Sequence, residues 1–352
     1  MRFSSYLLLG CLSLASLPGL AQTVNDLYQV REPVTSQSPQ ERDRATQAAV
    51  QTMVVRLTGN TRAAEGAALA EVRKDPQQII SQYGYEPGPP QTLLVDFDPA
   101  STDRALRQAG LPIWGSNRPS ILGWWLIDST EGSNLVGDAQ EAAAPLRRAA
   151  QHRGLPMQLP LADLSEQGVG TAQHLSASDP GELKQASERY GADAILAVHA
   201  REEGGKWQAQ WRLWLGEQRE QGNVGGDSVE ALADAVLLAV TERLAPRFAV
   251  KPGATASTLQ FEVQGMNLER YAQLMRVLEA MGGKLVLVEG ERSTFAVGTS
   301  AEQLRNQLGL ARLQEIPASE AVPVDASAPA TAPTPGAEAG APVSAGKLYF
   351  RW

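Results

Sequence analysis

The stretch from Asp179 to Leu215 most constrains the fold, because it specifies a helix, a strand, a tight turn and a second strand in succession. The tetrapeptide DPGE at 179–182 combines a capping carboxylate, a proline at the first helical position and a glutamate three residues after the cap. This combination is typical of a helix start. Gly191 can adopt the left-handed conformation that ends a helix. A helix followed by a hairpin predicts an α/β layer.

The second half of this stretch predicts a β-hairpin with an aromatic strand. The β-prone run 194–200 leads to a turn at 203–205, and the residues after the turn alternate between apolar and polar. Trp207 and Trp211 share one face of that strand, and Trp214 lies on the other. Two alternatives remain open for this aromatic face. It packs on helices, with only Trp214 on the solvent side, or it forms a stacking platform for sugar rings or an apolar partner.

Residues 1–21 predict an export signal, with a positive end, an apolar segment over 7–17 and small residues before a cleavage site after Ala21. Cys11 provides an alternative, because LLGC at 8–11 resembles a lipoprotein box and would give a protein that is lipid-anchored through Cys11. Cleavage after Ala21 removes the single cysteine, which excludes disulfides, thiol catalysis and cysteine zinc sites in the mature protein. We predict a soluble periplasmic protein.

Composition narrows the class of partner. The chain has 352 residues, a hydrophobic content of 43% and a formal net charge of −8, which is typical of a soluble protein of two or three domains. An acidic chain without a block of basic residues argues against a nucleic-acid partner, since phosphate binding needs clustered Lys and Arg. After signal cleavage, the sequence predicts no transmembrane segment, because no other window approaches about 18 apolar residues.

The order of predicted helices and strands divides the chain into lobes. Residues 22–118 predict a small α/β lobe, and residues 119–252 predict a second α/β lobe that contains the tryptophan hairpin. Residues 256–317 follow the order βαββαβ, which is ferredoxin-like. An Ala/Pro-rich linker over 318–346 is predicted to be disordered, and an aromatic tail at 347–352 is predicted to form a short C-terminal strand. The predicted fold class is therefore α+β and multi-lobed.

Several local predictions depend on caps and glycines. A helix is expected from the cap at Ser38 to Gly59, and a second helix over 63–82. Asp138 and Glu141 are expected to form a capping box. The glycine-rich segment 222–227 is expected to be a loop; it could receive an anion before a helix, but it lacks the lysine of a P-loop.

The tail is unexpectedly apolar after a polar linker. Leu348, Phe350 and Trp352 alternate, as the residues on one face of a strand do. Three alternatives remain open for it. The tail is a frayed terminus, it docks back as an extra strand on an exposed sheet edge of this protein, or it adds to the sheet edge of a partner.

Candidate catalytic groups are few. Asp96 and Asp98 share a face at a strand end and could hold a cation, although Asp98 also fits a turn before a helix. A hydrolase could use the carboxylate of Asp96, Asp98 or Asp163. The sequence contains three histidines, at His152, His174 and His199. None has the spacing of a metal ligand, and no nucleophile elbow accompanies them. We predict no catalytic residue, no metal site and no cofactor.

Four segments carry a family resemblance. Residues 27–60, 153–163, 189–195 and 348–352 together resemble the exported bacterial family catalogued as domain of unknown function 2066. The resemblance covers nearly the whole mature chain. It implies no known activity, ligand or catalytic residue.

The functional hypothesis follows from the predicted signal, the small lobes and the tethered tail. We predict a non-enzymatic periplasmic accessory or adaptor protein of the bacterial cell envelope, which acts through contacts with an unidentified envelope protein. The alternatives are a glycan- or peptidoglycan-binding module that uses the tryptophan hairpin, and an unrecognised hydrolase. The oligomeric state stays open. The candidate binding residues are Trp207, Trp211, Trp214, Leu348, Phe350 and Trp352.

Overall fold

The computed structural model describes residues 26–88, 90–251, 259–279, 281–321 and 347–352. The predicted signal peptide with Cys11, and most of the predicted linker, lie outside the described residues. The α+β, multi-lobed class is confirmed, because three separate sheets are each packed with helices. The predicted lobe boundaries stay a prediction.

The first sheet has the strand order β1-β3-β2, and both of its strand pairs are antiparallel. Its long helix α1 lies against β1 and β3 and buries Val50, Met53 and Leu57. The elements of this lobe are β1 (Gln29–Pro33), α1 (Pro39–Thr58), α2 (Thr61–Glu65), α3 (Ala70–Lys74), β2 (Ile80–Glu86), β3 (Thr92–Phe97) and α4 (Pro99–Gln108).

Local signals place α1 correctly but not the segment after it. Ser38 caps α1, and Gly59 ends the helix with φ 63°. Gly59 also allows a close approach, because a Cβ there would lie 2.0 Å from the Cβ of Ala245. The predicted single helix over 63–82 is broken into short pieces, α2, α3 and two 3-10 turns, which end at Gln78. Pro76 lacks the amide that a continuing α-helix needs, and the residues from Ile80 onward pair with β3 as strand β2.

The middle sheet has the order β5-β4-β7-β8-β9, with β6 also paired to β4. Helices α5 and α9 cover one face, and α7 and α8 cover the other. The elements are β4 (Ile121–Ser129), β5 (Gly132–Leu135), α5 (Ala143–Arg153), β6 (Met157–Gln158), α6 (Leu164–Val169), α7 (Ala172–Leu175), α8 (Gly181–Ser187), β7 (Ala194–Glu203), β8 (Lys206–Leu215), β9 (Gln218–Gly226) and α9 (Val229–Phe248).

The predicted hairpin is confirmed, but the strand after it was missed. The segment 222–227, predicted as a loop, belongs mostly to β9, which pairs with β8 along its whole length. Gly222 faces Trp211, and a Cβ at Gly222 would lie 2.8 Å from the indole ring. The glycine is therefore needed to make room for the tryptophan. The predicted capping box at Asp138 and Glu141 is also wrong, since α5 begins later without a side-chain cap.

The third sheet has the order β11-β12-β10-β14-β13, and it buries its apolar face under α10 and α11. The predicted βαββαβ order is confirmed. The elements are β10 (Leu259–Gln264), α10 (Leu268–Glu279), β11 (Lys284–Glu289), β12 (Arg292–Val297), α11 (Ala301–Leu310), β13 (Gln314–Ile316), α12 (Ala318–Ala321) and β14 (Leu348–Arg351).

The C-terminal tail forms an interior strand. It docks on this protein's own sheet, as one of the three alternatives expected, but not at a sheet edge. Strand β14 lies between β10, to which it is parallel, and β13, to which it is antiparallel. In a ferredoxin-like sheet the first and fourth strands of the βαββαβ unit are neighbours, and here the tail separates them. The first residues of the predicted linker, 318–321, form helix α12 against β14.

Two buried arginines join the first two lobes. Arg118 is fully buried, stacks on the Trp114 ring at 4.1 Å and caps carbonyl groups from both lobes. Burial lowers the pKa of Arg118 to about 9 and that of Arg56 to about 10, so both stay cationic at neutral pH. The carbonyl oxygens that accept from Arg118 belong to Arg56, Trp114, Gly115, Arg153 and Gly154.

Candidate functional site

The predicted tryptophan platform is largely buried. Trp211 is 3% exposed and packs under α9, and Trp214 is 7% exposed and packs on the opposite face with residues of α7 and α8. Trp207 is half-buried against the same core as Trp211. The expectation that Trp214 faces solvent is wrong, because the layer of short helices α6 to α8 covers that face of the sheet. The hairpin therefore lacks the open aromatic surface that sugar stacking requires.

The predicted tail residues contribute to the core of the third lobe. Phe350 is 1% exposed and meets Phe261 edge-on at 5.9 Å. Leu348 and Trp352 are half-buried against the same cluster, and the Arg270 guanidinium lies 5.7 Å from the Trp352 ring. These side chains are engaged within the chain. Their first role is to complete the fold.

The predicted carboxylates each have a structural partner. Asp96 accepts from two glutamine side chains on the neighbouring strands, at 2.7 and 2.8 Å. Asp98 caps α4 by accepting from the Ser101 amide at 2.8 Å. Asp163 caps α6 and pairs with Arg189, and hydrogen bonds from Ser165 and its other donors hold the pKa of Asp163 well below its usual range. Within the described residues, no group of three or more His, Cys, Asp or Glu side chains could hold a metal ion.

A polar cluster that the sequence did not predict lies between the first two lobes. His152, at the end of α5, contacts Glu32 of β1 through Nε2 at 3.3 Å and Asp234 of α9 through Nδ1 at 3.0 Å. Thr52 of α1 lies 3.1 Å from the same Nε2. A cleft of about 510 Å³ opens beside this cluster, lined by residues of β1, α5 and α9. We call His152, Glu32, Asp234 and Thr52 the His152 cluster.

The electrostatics of the His152 cluster favour an imidazolium held in place. Burial lowers the pKa of His152, but the hydrogen bonds to Asp234 and Glu32 outweigh burial, so the net pKa is raised. Burial likewise raises the pKa of Asp234, and the hydrogen bonds from His152 and Arg153 outweigh it, so that pKa is lowered. Both ring nitrogens are engaged by carboxylates. A histidine held this way links the two lobes through its carboxylate partners. Because both ring nitrogens are engaged, neither is available to accept a proton from a substrate.

Replacement of His152 by glutamine is expected to lower the free energy of unfolding by about 1–3 kcal/mol at pH 6, since Glu32 and Asp234 lose a shared cationic partner. A folded-state pKa above the unfolded value stabilises the protein fully below the unfolded pKa of about 6.5, and this stabilisation is lost as the pH rises through the folded pKa. The difference between wild type and His152→Gln should therefore shrink from pH 6 to pH 9 in urea titrations.

His174→Gln is the matched control. His174 contacts the exposed Glu182 at 3.5 Å, and its Nδ1 lies 2.8 Å from the Val169 carbonyl oxygen. A surface pair and one hydrogen bond of this kind contribute about 1–2 kcal/mol together, without a second carboxylate partner. A destabilisation of His152→Gln that stayed constant from pH 6 to pH 9 would show that the imidazolium does not link the lobes. Sequence patterns could not have found this cluster, because Glu32 and Asp234 lie 120 and 82 residues from His152 along the chain.

The main exposed apolar feature is strand β11 at the edge of the third sheet. Its sequence is KLVLVE, and all six residues are exposed. Its aliphatic side chains are 40–54% exposed, with a β-bulge where Val286 has no partner on β12. An edge strand also presents unpaired backbone N–H and C=O groups. The exposed side chains in this row are Leu285, Val286, Leu287 and Val288.

The other edge strands follow the usual protective pattern. Strand β2 has the sequence ISQYGYE, β5 has GSNL, β9 has QREQGNVGG, and β13 has QEI. Strand β1 has the short polar sequence QVREP, which ends in a proline, and Arg56 donates to its Gln29 carbonyl at 2.7 Å. Polar, short or glycine-rich edges discourage pairing with another chain. Among the edge strands of the described part of the chain, β11 alone has a continuous aliphatic row.

Comparisons with known proteins give little beyond distant similarity. No curated protein matches the chain. The LpoB C-terminal domain from Salmonella enterica is 17% identical, and the match covers 31% of this chain and 83% of that one, with a TM-score of 0.23. Lipoprotein GNA1162 from Neisseria meningitidis is 17% identical over 36% of this chain and 96% of that one, with a TM-score of 0.21. Across the described residues, no helix has the length and apolarity to cross a membrane.

A protein-family model corrects the resemblance inferred from sequence. The model that matches is DUF8605, a domain of unknown function, and it covers residues 21–115. The assignment to family 2066 was therefore wrong. That assignment combined four short segments spread over the chain, and each of them was weak alone. What the match establishes is a similarity of the first lobe to a domain whose function is unknown.

Proposed function

We propose that the protein is a non-enzymatic accessory or adaptor protein of the bacterial cell envelope, acting through protein–protein contacts at strand β11. The observation that carries the proposal is the exposed aliphatic row at an unpaired sheet edge. Main-chain hydrogen bonds to an added strand supply affinity, and side chains on both sheet faces supply selectivity. The contacting chemistry is therefore an extended, apolar protein segment.

The envelope location in this proposal rests on the predicted export signal at residues 1–21. Periplasmic release after Ala21 and lipid anchoring through Cys11 both place the lobes where envelope proteins are within reach. The non-enzymatic part is supported by the partners of the candidate groups. Asp98 and Asp163 cap helices, and His152 is engaged on both ring nitrogens.

The alternative of a glycan-binding module has less support. Such a module would bind glycans on the aromatic face of the hairpin. Trp211 and Trp214, however, lie inside two separate cores. Exposing either ring would require helices to leave the sheet. The hydrolase alternative also has less support, since Asp96 and Asp163 lie in different lobes.

Site-specific photo-crosslinking in intact cells tests the proposal. A photo-reactive amino acid at Val286 of the full chain is expected to capture a defined envelope protein. The same group at Asn223, on the exposed polar edge strand β9, is expected to capture none. Leu287→Arg should abolish the capture from position 286, because a charged side chain would have to be buried in the contact.

The fold of the variants is checked separately. Position 287 is 49% exposed, so Leu287→Arg should change the free energy of unfolding by less than about 0.5 kcal/mol. The proposal fails if positions 286 and 223 capture the same set of proteins, or if Leu287→Arg leaves the captured set unchanged. Mass spectrometry of the crosslinked bands identifies the partner.

A further inference from the structure

The order of charges in β11 is complementary to itself. Lys284 begins the strand, Glu289 ends it, and the four residues between them are aliphatic. When such a strand lies antiparallel to an identical copy, the lysine of each copy faces the glutamate of the other. Opposite charges directly across an antiparallel pair stabilise it, and aliphatic side chains across the pair pack together. A strand with like charges at both ends would oppose the same arrangement.

We infer that β11 pairs with β11 of a second copy of this chain, antiparallel, about a two-fold axis between Val286 and Leu287. This inference rests on the proposed function, and it names a second copy of the chain as the partner that pairs with the same edge. The two five-stranded sheets would become one sheet of ten strands. The register sets three pairs across the axis: Lys284 with Glu289, Leu285 with Val288, and Val286 with Leu287.

A second copy fits this edge better than an unrelated segment for two reasons. A two-fold contact presents the same surface from both sides, so each complementary pair occurs twice. The extra residue of the bulge at Val286 shifts the alternation of the strand by one, so Lys284 and Glu289, which pair with Ala296 and Arg292 on β12, lie on the same face of the sheet. Residues directly opposite each other in an antiparallel pair must share a face, and the bulge meets this requirement for Lys284 with Glu289 and for Leu285 with Val288. The same pairing covers the aliphatic row in both copies at once.

Charge exchange tests the inference with the full exported chain, by sedimentation over a concentration series up to about 200 μM. Wild type is expected to form dimers. Lys284→Glu alone, or Glu289→Lys alone, faces like charges at both ends of the pairing and should weaken dimerisation by about tenfold or more. An equimolar mixture of the two variants should form dimers again, because each glutamate then faces a lysine.

The mixture separates charge complementarity from misfolding. Glu289 also lies 4.0 Å from Arg292 of its own chain, so Glu289→Lys loses that surface contact too, but mixing cannot repair a loss within one chain. A monomeric wild type, single variants that dimerise like wild type, or a mixture that stays monomeric would each overturn the inference. If position 286 still captures a different envelope protein in cells while the purified protein is monomeric, the proposed function stands and this inference fails.

Discussion

Replacement of Arg118 by methionine is expected to lower the free energy of unfolding by about 4–5 kcal/mol, which would consume much of the stability of a typical protein. Methionine preserves most of the volume beside Trp114 but none of the donors. The fully buried guanidinium donates to five carbonyl groups at 2.7–3.4 Å. Each carbonyl left unpaired in the interior costs about 1–3 kcal/mol. Urea unfolding followed by tryptophan fluorescence measures the change.

The positive charge of Arg118 stabilises this contact in addition to the hydrogen bonds that the side chain donates. Its acceptors include carbonyls in the last turns of α1 and α5, where helix dipoles place partial negative charge. Burial alone disfavours the charged form of a guanidinium, and it lowers the pKa of Arg118 to about 9. Convergent carbonyls from two lobes therefore take the place of a carboxylate partner.

Two controls separate these contributions. Arg118→Lys keeps a cation but cannot reach all five acceptors, so its loss should be smaller, about 2–3 kcal/mol. Arg147→Met removes an arginine that is 48% exposed and pairs with Asp138 at the surface, and should change stability by less than about 0.5 kcal/mol. If Arg118→Met and Arg147→Met lowered the free energy of unfolding equally, Arg118 would not be the residue that holds the first two lobes together.

Local sequence signals predicted the elements that depend on neighbouring residues. The hairpin turn at Gly204 and Gly205 has φ values of 63° and 76°, as a tight turn requires, and Ser38 caps α1. Residues three or four positions apart along the chain determine caps and tight turns, so these features can be predicted from a single sequence. The fold class and the βαββαβ order followed from these elements.

Features that depend on distant residues were not predicted. Strand β9 is polar and rich in glycine, and it becomes a strand because β8 pairs with it and Trp211 occupies the space above Gly222. Strand β2 similarly depends on β3. The His152 cluster joins four elements from two lobes. Tertiary contacts decide these cases, and single-sequence propensity does not contain them.

The same limit applies to the exposed edge. The predicted βαββαβ order includes a strand here, as found, but the position of that strand at the end of the sheet comes from the structure. The tail enters on the other side of β10, between β10 and β13, and leaves β11 with β12 as its single neighbour. The edge position of β11 therefore follows from the order of the βαββαβ strands themselves. The candidate contact surface is therefore a property of the topology.

The second large effect is expected at the tail. Phe350→Ala should lower the free energy of unfolding by about 3–4 kcal/mol, because the ring is 1% exposed and meets Phe261 in the core. Arg351→Ala, at the exposed neighbouring position, should change stability by less than about 0.5 kcal/mol. Thermal and urea unfolding of the two variants, side by side, measure the contrast. Similar losses for both would mean that the strand contributes little beyond its backbone.

Deletion of residues 347–352 is expected to have a larger effect than Phe350→Ala. It removes the same ring and also leaves β10 and β13 without the strand between them. Hydrogen exchange should accelerate in β10 and β13, while β7 and β8 of the middle sheet stay protected. A synthetic KLYFRW peptide added to the truncated protein should restore protection in β10 and β13, because the missing strand carries its own contacts: Lys347 reaches Glu262 at 2.9 Å and Phe350 fills the core. A peptide with alanine in place of the phenylalanine is the matched control. If both peptides restored protection equally, backbone pairing would hold the third lobe together rather than the buried ring.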